Sequence, residues 1–151
     1  MREPRARLAL AGFHAECEMI TVASTVGRII EVRFSGDLTP TEMKDMRTPL
    51  SQAVVRIGVD VIFVVDFRTC GELSTEVTPM MLGLMRSDNR KVHRSAHLFA
   101  PGSKILEQMK VAIAEAANAN RRAFQSAAAL TTWLSETATP EEIARTRAFF
   151  A

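Results

Sequence analysis

The chain has 151 residues, 47% apolar and 24% charged, with 19 Lys and Arg against 17 Asp and Glu for a net charge of +2. That size suits one domain, and the composition is that of a globular protein rather than a disordered tail. The charge balance lacks the footprint of a non-specific nucleic-acid binder. The longest apolar run, Val61 to Val65, is far short of the roughly 20 residues a membrane-spanning helix needs.

Residues 1–13 contain Arg2, Arg5 and Arg7 and a proline without a clear period, which predicts a poorly ordered arm or one borrowed by a partner. His14 to Ser24 and Arg28 to Ser35 then alternate around Thr25-Val26-Gly27, the pattern of a β-hairpin. Ile30, Val32 and Phe34 share one face, and the period of two puts Arg28 and Arg33 on opposite faces.

Thr39-Pro40-Thr41-Glu42 has the composition of a capping box and opens a helix whose apolar positions run from Met43 to Ile57. Pro49 lies inside that run and predicts a kink or an interruption, because it lacks an N–H and clashes with the preceding turn. After Gly58, Val59 to Phe67 is nearly all apolar, as expected of a strand buried on both faces.

A second helix is expected over about 75–87, capped by Ser74 or Thr75, or alternatively by Thr78 with Pro79 first in the helix. A strand over Arg94 to Ala100 follows. Ser103 is read as the cap of a third helix, Ala123-Phe124 as a short apolar step, and Ser126 as the cap of a helix with Leu130, Trp133 and Leu134 on one face. Thr139-Pro140-Glu141-Glu142 repeats the capping box and starts a last helix, within 137–151, ending in Phe149-Phe150. Adjacent rings on a helix point apart, so one of the two needs a second surface, on this domain or on another subunit.

This alternation predicts an α/β fold: a mixed four- to five-stranded sheet with an N-terminal hairpin and helices packed on it.

Catalytic motifs are absent: there is no Walker loop, dinucleotide fingerprint, zinc-protease helix or nucleophile elbow. His93 and His97 lack third and fourth ligands for a metal. Cys70 stands near Asp66 without an evident base to activate it, and reads as packing. Cys17 and Cys70 form no C-x-x-C, and no secretory segment is evident, which points to a reduced cytoplasmic setting. Neither cofactor nor metal is expected. Met80, Met81, Leu84 and Met85 read either as core or as an adaptable apolar ligand groove. The basic run RSDNRKVHR, 86–94, reads as a solvated connection or a partner-facing patch.

Open α/β sheets place their sites beyond the carboxyl ends of strands. Asp66 stands at such an end, and Arg68, Thr69, Glu72, Ser74, Thr75 and Glu76 follow. Together with Asp37 and Thr39 after the hairpin, they form the expected partner-binding surface.

The hairpin, the Gly36-Asp37-Leu38 step before a capped helix, VIFVVDF with its hydroxyl-bearing loop, and the tail RRAFQSAAALTTWL resemble a STAS domain over about 14–136. This is the sulfate-transporter and anti-sigma-factor-antagonist family, whose bacterial regulatory members are called SpoIIAA-like. The resemblance implies a non-enzymatic bacterial regulatory domain that binds a kinase-like or other signalling protein. In the family's anti-sigma antagonists, an Asp-Ser-Ser-Gly step carries the serine that a partner kinase phosphorylates. The matching window here is Ser74-Thr75-Glu76-Val77, with Thr75 at the first serine and Glu76 at the phosphorylated position. Three readings stay open: Glu76 is a permanent negative charge, Thr75 or Ser74 is modified instead, or the switch is lost. The alternative function is a carrier or sensor of a small apolar or lipid-like ligand. The N-terminal arm and the last helix are the segments that would close a homodimer.

Overall fold

The computed structural model describes residues 5–9, 12–16 and 19–151, with side chains from residue 19 onward. Strands β1 (Arg5–Ala9), β2 (Gly12–Glu16), β3 (Ile20–Ser24) and β4 (Ile29–Gly36) are antiparallel neighbours. Then β5 (Val61–Cys70), β6 (Val92–Leu98) and β7 (Arg121–Phe124) join parallel to β4. The sheet is seven-stranded, in the order β1-β2-β3-β4-β5-β6-β7. Strands β3 to β7 form the mixed core of the expected fold, and β1 and β2 extend it beyond the predicted hairpin.

The alternating segment from His14 to Ser24 is divided between β2 and β3. Alternation runs through both strands, so the period alone does not locate the break. Residues 1–4, 10, 11, 17 and 18, which include parts of the expected arm and Cys17, lie outside the described residues. The turn into β4 uses Gly27 at φ +53°, as the hairpin reading requires.

Helices α1 (Pro40–Asp45) and α2 (Arg47–Ile57) replace the single helix predicted around Pro49. The break falls at Met46, which leaves Pro49 in the first turn of α2, where a missing N–H costs no intrahelical bond. Helices α3 (Val77–Asp88), α4 (Lys104–Glu115), α5 (Ala127–Leu134) and α6 (Pro140–Phe150) complete the chain. Thr39 and Thr139 both form the predicted capping boxes, and the Ser126 hydroxyl caps α5 by accepting from the Ala129 amide. Ser103 occupies the cap position of α4, but its hydroxyl accepts no capping hydrogen bond.

The two sheet faces have separate cores. Phe34, Phe63, Val65 and Phe67 point toward α1 to α4, while Ile29, Ile62, Val64 and Leu98 pack under α5 and α6. Strand β5 is thus buried on both sides, as its composition predicted. Phe149 and Phe150 are both buried in the second core, with ring centroids 4.9 Å apart, so the surface they need is on this domain. Arg28 and Arg33 both meet α6 rather than opposite faces, because Arg28 belongs to the turn before β4 and escapes its alternation.

Candidate functional site

The carboxyl ends of β4 and β5 carry the two loops singled out in the sequence. Gly36 and Gly71 bring them together: the Gly71 amide donates to the Gly36 carbonyl at 2.9 Å. A Cβ on Gly71 would stand 2.4 Å from Asp37 Oδ1, so a side chain there would push the exposed Asp37 carboxylate aside. Asp37 is exposed at the seam. Thr39 has its hydroxyl engaged in capping α1, where it accepts from the Glu42 amide at 3.2 Å.

The rest of the β5–α3 loop is fastened from below. Leu73 is buried, and Gln108 of α4 clamps its backbone, accepting from the Leu73 amide at 2.8 Å and donating to its carbonyl at 2.9 Å. Glu72 meets Lys104 at 3.4 Å on the exposed surface. The Ser74 hydroxyl accepts from the Val77 amide at 3.2 Å, and the Ser74 carbonyl accepts from the Thr78 hydroxyl at 2.8 Å. The cap position of α3 is Glu76, whose side chain makes no capping bond, rather than Ser74, Thr75 or Thr78. Ser74 instead holds the Val77 amide from the turn before, and Pro79 sits in the first turn of α3 without costing an intrahelical bond. Thr75 and Glu76 are left exposed at the tip. Asp37, Thr39, Glu72, Ser74, Thr75 and Glu76 thus share one end of the molecule.

Asp66 and Arg68 do not join that surface. Their side chains turn to the α6 side, where Asp66 Oδ1 accepts from the Arg68 amide and Nε, each at 3.0 Å, and Oδ2 accepts from Arg33 Nε at 3.0 Å. Arg33 also donates to the Phe149 carbonyl at 2.6 Å and lies 4.4 Å from the Phe149 ring centroid, while Arg68 lies 5.7 Å from that of Phe150. Burial by itself raises the Asp66 carboxyl; the hydrogen bonds from Arg68 and Arg33 outweigh it and hold the group below its ordinary range. The pair fastens the end of α6, with the arginines complementing its carbonyl terminus. Asp66→Asn is expected to lower the unfolding free energy by about 1–2 kcal/mol in urea denaturation. It should leave binding at the 71–78 loop unchanged; an equal loss of partner binding would return Asp66 to the docking surface. Thr69 is exposed just beyond this network.

The Cys70 thiol is half-buried, and burial, aided by the Asp37 charge, pushes it up to about 12. It stays protonated at neutral pH and offers no thiolate for nucleophilic attack.

Met81 and Met85 are buried and Met80 and Leu84 half-buried, so the methionine cluster faces the first core. Met81, Leu84 and Met85 line a cavity of about 40 Å³ between the sheet and its helices. This holds a water molecule or so, whereas small-molecule pockets commonly run to several hundred Å³. His97 faces that cavity, and among the described residues no three metal-ligating side chains converge. Gln108 and Gly71 were not anticipated; a glycine just past a buried strand was the one visible signal.

Comparison with solved structures gives the fold a precedent. A crystal structure of a Shewanella loihica PV-4 protein of the DUF3478 family, itself of SpoIIAA-like fold, superposes with a TM-score of 0.58 at 16% sequence identity. The match covers 89% of this chain and 97% of that one. This chain has a SpoIIAA-like fold. No protein-family model matches the sequence, and no curated protein matches it either. In the SpoIIAA-like frame, the loop bearing Ser74 to Glu76 follows a central strand and leads into the helix after it. Among the described residues, no helix is long and apolar enough to cross a membrane.

Proposed function

We propose that this protein is a non-enzymatic regulatory domain of the bacterial cytoplasm that docks a signalling protein on the loops 36–41 and 69–78. One observation carries the reading: an exposed Thr75-Glu76 tip stands on a backbone held by the Ser74–Val77 hydrogen bond, the Gln108 clamp and the Gly71–Gly36 backbone bond. A rigid tip loses little conformational freedom on association, which favours recognition by a partner. Glu76 supplies charge to that surface, and Thr75 and Ser74 are the hydroxyls available for modification beside it.

The test is an affinity capture from native lysate with wild type and Glu76→Lys, followed by titration of the purified partner. Charge reversal at a docking surface is expected to weaken binding by at least about tenfold. A native partner held with unchanged affinity would reject the site.

A second reading, a carrier or sensor of a small apolar ligand, draws on the adaptable methionine lining of the internal cavity, which would have to widen well beyond about 40 Å³ to admit one. Native mass spectrometry that finds only bare protein from host and from expression cells would count against it.

A further inference from the structure

The polar end of the internal cavity is unexplained by either the loop surface or the packing of the sheet. Arg121 on β7 is 6% exposed, and among the described residues it forms no ion pair. Its guanidinium donates to the Met85 carbonyl at 2.7 Å, to Asn89 Oδ1 at 3.2 Å and to Ser95 Oγ at 3.4 Å. Its hydrogen-bond acceptors are all neutral, and burial outweighs the opposite charge of Asp88 to lower the Arg121 guanidinium to about 10.

Beside it, His97 is 3% exposed and shares a 2.8 Å hydrogen bond between Nε2 and Ser95 Oγ, while Nδ1 has no partner among the described residues. Burial, with Arg121 adding to it, pushes His97 down to about 3, so the ring is neutral at pH 7. With Arg121 donating to Ser95 Oγ, the serine proton serves His97 Nε2, and the ring proton sits on Nδ1 as an unspent donor. Ser95, His97, Arg121 and Asp88 all line the cavity, whose remaining wall is apolar and includes Met46, Met81, Met85 and Met109. Burial raises the Asp88 carboxyl while Arg121 and Lys91 pull it down, so Asp88 is the charge a bound anion would share Arg121 with.

We propose that this end of the cavity is the head-group anchor for an apolar monocarboxylate, whose carboxylate accepts from His97 Nδ1–H and the Arg121 guanidinium while its chain lies among the methionines. The proposal rests on the ligand-carrying reading above and adds the ligand's charge and the two residues that read it. The chain enters as the unbranched thioethers repack, which widens a cavity that otherwise holds only water.

The experiment titrates the wild-type protein, labelled with ¹⁵N-histidine, with octanoate and with 1-octanol at pH 7. Octanoate should move the His97 Nδ1 resonance and leave His93 in place. It should also bind at least about tenfold more tightly than octanol, as expected when charge-assisted hydrogen bonds replace neutral ones. Arg121→Gln should reduce that preference to under about twofold, and Arg121→Lys should restore part of it. Should the glutamine variant fail to fold, the wild-type comparison and the His97 resonance decide alone. Octanol binding as tightly as octanoate, with His97 unmoved, would overturn the anchor and leave an apolar carrier standing. Binding of neither probe would overturn both, and His97 would face water only.

Discussion

Replacing Glu142 with alanine is expected to lower the unfolding free energy by about 3 kcal/mol at pH 7 and to flatten its dependence on acid. The Glu142 side chain is 1% exposed and takes Arg28 on three sides: the backbone amide at 2.8 Å and Nε at 3.2 Å on Oε2, and Nη2 at 2.9 Å on Oε1. It also accepts from the Thr139 amide at 2.9 Å, which closes the capping box of α6. Burial alone would raise this carboxyl. The hydrogen bonds from Arg28 and Thr139 dominate instead and bring it from 4.5 to about 2. A depressed carboxylate stabilises the fold fully above its ordinary value and ceases to do so as pH falls through the folded one, so the contribution disappears between about pH 5 and 2. A fall from 4.5 to about 2 corresponds to about 3 kcal/mol. Urea denaturation of wild type and variant across that range is the check, and parallel pH profiles would show that Glu142 is not the group responsible. Gly27 belongs to the same contact, since a Cβ there would fall 2.6 Å from Glu142 Oε2.

The Glu142 contact is one of several that tie α6 to the sheet. Arg145 pairs with the buried Glu31, and Arg33 joins Asp66 to the Phe149 carbonyl. Together with Ile143, Phe149 and Phe150 in the second core, these contacts make the last helix a structural layer of the domain. A homodimer closed by that helix would have to use its outer face, because the inner one is occupied.

Short-range chemistry made much of this fold legible. The two threonine-proline-glutamate boxes each carry a complete local hydrogen-bond pattern, and both helices start where those boxes stand. The run into β5 likewise reports its own burial on both faces. What stayed hidden depends on contacts between distant positions. Alternation places Asp66 on the same face as Ile62 and Val64, but it cannot say that α6, some 80 residues later by its numbering, covers that face with Phe149. Asp66 therefore read as a docking residue and stands in the structure as an anchor. Arg121 presents the same difficulty: it joins β6 and the end of α3 through Ser95, Asn89 and the Met85 carbonyl, and no local motif encodes such a meeting. The exposed Ser74-Thr75-Glu76 tip was legible because turn chemistry is local, whereas its Gln108 clamp was not.

Phe67→Ala is expected to cost about 4 kcal/mol of unfolding free energy, the largest effect of any single substitution considered. Phe67 is 1% exposed and lies between Phe34 and Phe99, with centroids at 4.8 Å and 5.0 Å and the planes within 5° of parallel. Three neighbouring strand paths each contribute one ring to this stack, so truncation removes two aromatic contacts as well as buried area. The lost ring also borders the existing cavity, which Phe34 and Phe67 both line, so its space would merge with the space already there. Benzene should then bind the variant and recover part of the lost stability in urea denaturation, with little effect on wild type. The size of the loss tests the plasticity on which the ligand reading depends. A cost below about 2 kcal/mol without benzene rescue would mean that Met46, Met81 and Met109 collapse into the gap, because a site that relaxes forfeits less than one that stays open. A full cost with benzene rescue would instead mean that the wall keeps its shape around a void, and that a carboxylate ligand would have to push its way in.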